Sequence, residues 1–220
     1  MNYFGPDETR KNLTDSLYQH LKTMIVNNQL PPGEIVSIAA LAQELKVSRT
    51  PVHAACQKLE GDRFLTIIPK QGVLITPMTV DMARETYELR AAIETYSFKR
   101  AFPNINREDI AYLEVNCAEL HNYLLHDLIP EFLQTDTAFH RYLLTKYENS
   151  QFFLLMDNLF DRTYQIGLKM CSNGLRAQES YNEHIELLHA IKHNNLEAGL
   201  QAIEKNILNG YKSLTGYYQI

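Results

Sequence analysis

Residues 47–53 constrain the fold of this chain more than any other stretch, because they mark the start of an amphipathic helix. Ser48 is a favoured N-cap residue, and we expect its hydroxyl to accept a hydrogen bond from a backbone N–H of the first turn. Pro51 then lies within that first turn, where its missing N–H costs little. Apolar residues follow with helical spacing at Val52, Ala55, Cys56 and Leu59. The segment therefore predicts a short helix with one buried face.

The opposite face of the same helix indicates what it binds. Its polar residues are Arg49, Thr50, His53, Gln57 and Glu60. Recognition helices of DNA-binding proteins contact bases and phosphates with residues of their first turn. A cation and a hydroxyl in that turn therefore favour double-stranded DNA as the ligand.

A second helix and a tight turn are predicted just before this helix. Ser37 can cap a helix whose inward face consists of Ile38, Leu41, Ala42 and Leu45. Lys46 occupies the turn between the two helices. If the turn needs a positive φ, glycine would be easier there, and the lysine carries strain of roughly 1 kcal/mol. Two short helices joined in this way make a helix-turn-helix.

A helix before this motif and a hairpin after it complete a first domain. The apolar stripe within residues 13–29 predicts a helix, which the segment 31–33, Pro-Pro-Gly, ends. Residues 64–68 and 73–76 predict two strands around a turn, with Lys70, Gln71 and Gly72 at its tip. This hairpin would be a wing whose glycine lets the backbone approach DNA closely. We therefore predict a winged helix-turn-helix DNA-binding domain over residues 1–78.

From residue 79 onward the pattern is helical. We predict six helices, at about residues 80–101, 107–126 with Asn106 as cap, 129–147, 150–171, 176–193 and 196–214. Short connections favour an antiparallel bundle over residues 79–220, with a ligand site in its interior. The predicted fold class is mainly α: three helices and a β-hairpin wing, followed by a bundle of about six helices.

Charge and cysteine content indicate which part of the chain binds phosphate and which cellular compartment suits the protein. Residues 1–80 carry 8 Lys and Arg against 7 Asp and Glu, whereas residues 81–220 carry 13 against 19. Only residues 1–80 therefore have the positive net charge that favours binding to phosphate groups. Because this charge is weak, we predict that the chain binds DNA as a homodimer. No stretch approaches the ~20 apolar residues that span a bilayer, and the first residues lack a secretory-signal pattern. The three separated cysteines predict buried thiols. We expect a cytoplasmic protein with no membrane partner.

Ionisable side chains interrupt the apolar stripes of two bundle helices. Asp136 and His140 lie one turn apart on one stripe, and His184 lies on another. Burying such groups costs several kcal/mol unless they are paired or bind a metal. Two interpretations are open: these residues hold one divalent first-row metal, or Asp136 and His140 form a hydrogen-bonded pair beside a satisfied core histidine. Asn206 interrupts the stripe of the last helix.

The first domain resembles the N-terminal domain of GntR-superfamily bacterial transcription regulators over residues 13–76. The matching residues are Leu30, Pro32, Gly33, Glu34, Leu41, Ala42, Leu45, Val47, Ser48, Arg49, Thr50, Pro51, Val52, Leu59, Glu60 and Gly72. Two positions depart from the family pattern. The segment 53–55, His-Ala-Ala, stands where the family commonly has Arg-Glu-Ala, and Ala39 stands where many relatives have a basic residue. The resemblance implies operator DNA as the partner, with Arg49 as the main cation of the recognition helix.

The bundle is similar to the C-terminal FCD effector domain of the FadR branch of GntR regulators. The shared residues are Asp136, Thr137, Ala138, Phe139, His140, Asn149, Glu183, His184, Leu187, Ala190 and Ile191. Many members of that family bind zinc or nickel through one Asp and three His, which implies Asp136, His140 and His184 as ligands here. Asn206 stands where the fourth ligand, a His, would fall. Either water or effector fills that gap at a weaker metal site, or the site is a metal-free polar pocket.

Arg90 and Glu94 resemble the family's Arg and Glu on the first bundle helix, where the Arg approaches an acidic effector. The alternative for this pair is a simple i,i+4 salt bridge. The resemblance implies a small carboxylate effector bound by Arg90 and Asn206 at the metal site.

These features predict a homodimeric transcription repressor controlled by a small carboxylate metabolite. A different class of function is a metal-dependent hydrolase, because three protein ligands and an open position suit catalytic zinc. We expect no enzyme activity, since no clear general base lies beside the ligands and Glu183 is predicted to point off the inward face. A bundle that only dimerises would show no ligand-dependent change.

Overall fold

The computed structural model describes residues 10–172 and 174–217. Contacts between residues divide the chain into two compact units, with the division between Met78 and Thr79. The first unit contains helices and a small sheet, and the described residues of the second are helical apart from turns and loops.

The first unit has the predicted elements and one more. In chain order they are α1 (Arg10–Val26), β1 (Ile35–Val36), α2 (Ile38–Glu44), α3 (Arg49–Gly61), β2 (Leu65–Ile68) and β3 (Gly72–Ile75). The three helices and the hairpin of β2 and β3 are confirmed. The additional element is the strand β1, which is not predicted; it pairs antiparallel with β3 and gives the sheet order β1-β3-β2. A strand of two residues is too short to show an alternating pattern.

The predicted apolar stripes meet in the core of this unit. The stripe of α3, formed by Val52, Ala55, Cys56 and Leu59, is fully buried. Helix α1 packs against α3 and contributes Leu17 and Leu21. Burial of each such leucine contributes roughly 1.5–3 kcal/mol. The core therefore fixes α3 with its polar face toward solvent.

The turn between α2 and α3 is strained as predicted, but one cap differs. Lys46 has a φ of 55°. Ser37 caps α2 by accepting a hydrogen bond from the backbone N–H of Ala39 at 3.2 Å. Ser48 is the N-cap residue of α3, yet its side chain makes no capping hydrogen bond, so that prediction is wrong. The first turn of α3 is exposed, and water can satisfy its N–H groups without the hydroxyl.

Gly72 opens β3 with a φ of 140°, a conformation that favours glycine. A Cβ at this position would overlap the carbonyl oxygen of Val36 on the neighbouring strand β1. The expected reason for this glycine is close approach of the backbone to DNA. The structure gives a requirement that is independent of DNA, because β1 and β3 pair tightly within the domain.

Replacing Gly72 by alanine is expected to lower the free energy of unfolding by at least about 2 kcal/mol. The positive φ alone costs roughly 1–2 kcal/mol, and the overlap with a backbone atom must also be relieved. Urea denaturation followed by circular dichroism measures the change. Gly61→Ala is the matched control, because a Cβ there meets no atom within 4 Å. Equal effects of the two substitutions would contradict this account of Gly72.

The second unit confirms the predicted helices, with ends that differ by no more than three residues. They are α4 (Val80–Ala101), α5 (Arg107–Leu125), α6 (Ile129–Thr145), α7 (Ser150–Met170), α8 (Leu175–Lys192) and α9 (Leu196–Tyr217). A short 3-10 turn, Phe102–Asn104, follows α4. Asn106 caps α5 within a reciprocal capping box with Asp109, as its position predicts.

Close packing of α9 against α4 positions one polar residue. A Cβ at Gly210 would overlap the ring of Tyr87, and one at Gly199 would press on the ring of Phe98. These two glycines let the axes of α4 and α9 approach closely. Asn206 lies between them on α9 and is only 6% exposed. Its amide therefore has to find partners inside the bundle.

The cysteines and the hydropathy of the helices bear on two expectations from composition. Cys56, Cys117 and Cys171 are free and buried, which confirms the predicted buried thiols. Burial raises the pKa of the Cys171 thiol to about 12. None of the described helices has the combined length and hydropathy that crossing a membrane requires.

Candidate functional sites

A groove on the first unit brings two helix N-termini together with the wing. Its volume is about 310 Å³. Five of the residues predicted to bind DNA line it, namely Arg49, His53, Lys70, Gln71 and Gly72. The other two, Ser48 and Thr50, lie outside this lining and are exposed at the start of α3. The fold thus places the predicted helix and wing residues on one concave surface.

The cations of this groove are available to a ligand. Arg49 is the first residue of α3, and Lys70 lies at the wing tip with a φ of 67°. Both are exposed, and neither forms an ion pair with another described residue. Lys58, farther along α3, is instead paired with Asp15. Ser37, Ile38 and Ala39 at the start of α2 also line the groove and add no charge.

Asp136, His140 and His184 converge inside the second unit. Each offers one ligand atom, and these atoms lie within 4.8 Å of one another. Helix α6 carries Asp136 and His140 one turn apart, and α8 brings His184 against them. The two histidines are at most 1% exposed. The structure therefore brings together the three residues that the sequence singles out as metal ligands.

His184 has a buried nitrogen without a partner. Its Nδ1 donates to the backbone carbonyl of Ser180 at 2.7 Å. Its Nε2 therefore carries a lone pair, has no hydrogen-bond partner among the described residues and lies 3.6 Å from Asp136 Oδ1. A buried polar atom in this state costs about 1–3 kcal/mol. A cation between Nε2 and the carboxylate would remove that cost, and on this observation a divalent metal fits the site.

The protonation of these groups also suits a metal. Burial raises the pKa of the Asp136 carboxyl, but the charges of His184, His140 and Arg90 outweigh it and the pKa is lowered overall. The Ser180 hydroxyl donates to Asp136 at 2.9 Å and adds to this effect. Burial lowers the pKa of His184. An ionised carboxylate and a neutral imidazole are the forms that bind metals.

A line of charges from α4 supports the same cluster. Arg90 Nε donates to Glu94 Oε1 at 2.6 Å, so the i,i+4 salt bridge offered as an alternative is present. Glu94 Oε2 lies 2.7 Å from His140 Nδ1. Burial raises the pKa of the Glu94 carboxyl, but Arg90 and His140 lower it by more. The net pKa is therefore below its usual value, and the group stays ionised. Histidines that bind metals commonly present their other ring nitrogen to a carboxylate in this way.

A small cavity adjoins the cluster. Its volume is about 40 Å³. The polar residues of its lining are Arg90, Asp136, Thr163, Arg176, Ser180 and Asn206. A single water needs roughly 10–15 Å³ of such space, so the cavity admits a few waters or a ligand of a few heavy atoms. Arg90 and Asn206, the two residues predicted to bind the effector, both line it.

Two residues of α8 belong to the site, although sequence analysis overlooked one and misplaced the other. The prediction that Glu183 points off the inward face is wrong, because Glu183 is 5% exposed. It accepts hydrogen bonds from Arg176, Asn206 and Asn209 at 2.7, 3.1 and 2.7 Å. Helix α8 packs against both α5 and α9, so two adjacent residues can each face a neighbour. Arg176 precedes His184 by two turns, and this spacing could have identified it.

Comparison with known protein families gives two matches. Residues 13–75 match the family described as bacterial regulatory proteins, gntR family, and residues 85–208 match the FCD domain. The FCD match covers more than half of the chain.

Two individual relatives are described as transcription regulators. The uncharacterized HTH-type transcriptional regulator YdhC of Bacillus subtilis (strain 168) is 26% identical over 187 residues, which cover 84% of each chain. The gluconate operon transcriptional repressor of the same organism is 24% identical over 188 residues, covering 84% of this chain and 72% of that one. Among solved structures, McbR/YncC of E. coli has a TM-score of 0.80 at 20% identity and covers 94% of this chain and 99% of its own. The last likeness supports the fold.

Proposed function

We propose a specific control mechanism for this chain, which belongs to the GntR family of bacterial transcription regulators and carries an FCD domain: a small carboxylate bound in the helical bundle controls its binding to operator DNA. The observation that carries the proposal is the buried cluster of Asp136, His140 and His184 beside a small cavity. We further propose that it acts as a repressor, in keeping with the name of one relative, the gluconate operon transcriptional repressor of Bacillus subtilis.

The proposed DNA contacts divide between helix and wing. Arg49, Thr50 and His53 lie where the first turn of α3 would meet base edges in a major groove. Ser48 would contact a phosphate at the helix N-terminus, where its hydroxyl is not used as a cap. Lys70, Gln71 and Gly72 would contact the sugar-phosphate backbone. Because Arg49 and Lys70 are unpaired among the described residues, they lose no ion pair on binding.

We propose that the chain acts as a cytoplasmic homodimer. Two recognition helices would bind two half-sites and compensate for the few cations on each. The exposed apolar residues Leu89 and Tyr96 on α4 and Leu154 and Leu155 on α7 support this proposal. These two helices pack against each other, and exposed apolar residues on adjoining elements commonly belong to interfaces.

The proposed effector site combines a metal and a guanidinium. Asp136, His140 and His184 would hold a divalent ion, zinc or nickel, which when bound supplies an electrophilic centre for a carboxylate oxygen. Arg90 lines the same cavity, and its Nε donates to Glu94. Its terminal nitrogens can therefore donate hydrogen bonds to the second oxygen of the carboxylate. Asn206 would complete the polar wall. Since the cavity is small, the effector is short or its binding moves the helices apart.

Control of DNA binding would follow from this movement. An effector that binds one arrangement of the dimer more tightly shifts the population toward it. Such a coupling is typically worth about 1–3 kcal/mol. A free-energy difference of this size would favour a dimer in which the spacing of the two recognition helices no longer matches the spacing of the operator half-sites.

We propose that the bundle is not an enzyme. The carboxylates near the cluster are already engaged, Glu94 by Arg90 and Glu183 by Arg176. Neither is free to act as the general base that a hydrolytic metal site requires. The cavity of about 40 Å³ also leaves little space for an ester or amide beside a water.

The test combines operator binding with ligand screening. An operator is selected from random duplex DNA with the purified chain, and we expect it to contain two related half-sites that bind two chains. Small carboxylates are then screened by thermal shift, with and without zinc. At least one carboxylate is expected to raise the midpoint of thermal unfolding only when zinc is present. The same carboxylate is expected to release the protein from the selected operator. If no carboxylate changes stability or operator binding, the proposed control is wrong.

A further inference from the structure

We propose that Asn206 supplies the fourth protein ligand of the metal centre through its side-chain oxygen. This inference rests on the proposed metal site at Asp136, His140 and His184. It assigns to Asn206 a role on the metal itself, where the family pattern has a histidine.

The first support is the contact between Asn206 and His140. Glu94 Oε2 lies 2.7 Å from His140 Nδ1, and neither atom has a hydrogen-bond partner among the described residues. The nearby carboxylate favours the tautomer of His140 with its proton on Nδ1, in which Nε2 keeps a lone pair. That nitrogen lies 3.0 Å from Asn206 Oδ1. In that tautomer, two acceptor atoms face each other at the separation that neighbouring ligands of one metal ion have.

The second support is the fixed orientation of the Asn206 amide. Its Nδ2 donates to Glu183 Oε2 at 3.1 Å and to Ser180 Oγ at 3.4 Å. Arg176 holds Glu183 in place with a hydrogen bond of 2.7 Å. Rotating the amide by half a turn would set its oxygen against the Glu183 carboxylate, which repels it. The amide oxygen is therefore aimed at His140 by partners outside the metal site.

The third support is a second pair of facing acceptors. Within the part of the chain that the structure describes, His184 Nε2 has no hydrogen-bond partner, and Asp136 Oδ1 is 3.6 Å away. The two pairs share one buried cluster, since the His140 and His184 rings are 5.2 Å apart. One cation would satisfy all four atoms. A second proton on His140 would satisfy its contact with Asn206 but would leave His184 Nε2 without a partner.

The donor set has a chemical consequence. The family pattern of one carboxylate and three imidazoles offers three nitrogens, whereas this chain would offer two nitrogens and two oxygens. Imidazole suits zinc and nickel, and carbonyl oxygen suits harder ions such as manganese. The centre is therefore expected to discriminate less between zinc and manganese than a site with three histidines.

Metal affinity of the full chain tests this assignment. The protein is stripped with a chelator and titrated with zinc, and separately with manganese, in competition with a chromophoric chelator. We expect one zinc per chain in the wild type and a loss of affinity of at least tenfold in Asn206→Ala. Asn206→His is expected to bind zinc more tightly and to raise the ratio of zinc to manganese affinity. A purely structural role of Asn206 would lower the zinc and manganese affinities of Asn206→Ala by the same factor, whereas loss of an oxygen ligand is expected to weaken manganese binding more.

Asn209→Ala is the matched control. Asn209 lies on the same helix and also donates to Glu183, at 2.7 Å, but it offers no atom to the cluster. We expect its zinc affinity to stay within about threefold of the wild type. Wild-type affinity in Asn206→Ala, or an unchanged ratio in Asn206→His, would overturn the assignment and leave the metal site intact. A wild type that binds no metal would overturn both.

Discussion

Replacing His184 by alanine is expected to abolish the stabilisation of this protein by zinc. The side chain is completely buried, and its Nε2 faces the Asp136 carboxylate without a hydrogen-bond partner. At a free zinc concentration of ~100 times the Kd, one bound ion stabilises the folded state by about 2.7 kcal/mol. For a protein of this size that corresponds to roughly 5–10 °C in the melting midpoint. We expect the wild type to show such a shift and His184→Ala to show none.

The control for this experiment is another histidine of α8. His189 is exposed and its ring lies against that of His193, with 4.0 Å between the ring centroids. His189→Ala removes an imidazole from the same helix without touching the cluster, and should keep the full zinc-dependent shift. Both variants are melted with and without zinc, so that any loss of intrinsic stability is measured separately. A normal zinc shift in His184→Ala would place the metal somewhere else.

Replacing Arg49 by alanine is expected to weaken binding to the selected operator by roughly 5- to 150-fold for each recognition helix. This range corresponds to the loss of about 1–3 kcal/mol for one base contact. The guanidinium is exposed at the first residue of α3 and has no ion pair with another described residue. Its charge is therefore available to DNA. In a homodimer both helices carry the change, so the measured loss is at least this large.

Lys58→Ala is the control, because it removes one positive charge from the same helix. Lys58 lies toward the C-terminal end of α3 and pairs with Asp15. We expect it to change operator affinity by less than threefold. Fluorescence anisotropy at several salt concentrations measures both variants, with a scrambled duplex as the non-specific reference. Equal losses in the two variants would show that net charge, and not the position of Arg49, determines affinity.

Much of the fold follows from local sequence. The stripes of α3 and of the bundle helices repeat with helical spacing over many residues, and several of these helices begin or end at a recognisable cap or proline. Asn106 and Ser37 cap their helices as predicted. The strand β1 was missed because two residues carry no period. The cap at Ser48 was wrong because an exposed helix terminus leaves its hydroxyl other partners.

The candidate site was only partly predictable. Spacing shows that Asp136 and His140 share a face of α6 and that His184 lies on the inward stripe of α8. It does not show which side chains of other helices meet them. The His140–Asn206 contact spans 66 positions, and the Arg176–Asn206 contact spans 30. No periodic pattern relates residues that far apart, so the contacts of Asn206 with His140 and with Arg176 follow only from packing.

The sequence by itself determined the order of elements, the exposed cationic turn at Arg49 and the set of ionisable residues buried in the bundle. These depend on intrinsic preferences and on burial, which act within a few residues of the chain. The tertiary structure alone decided that a Cβ at Gly72 would meet Val36, that Glu183 faces inward and that the amide of Asn206 presents its oxygen to His140. Each of these depends on the distance between elements far apart in sequence. That distance is set by close packing of the whole core.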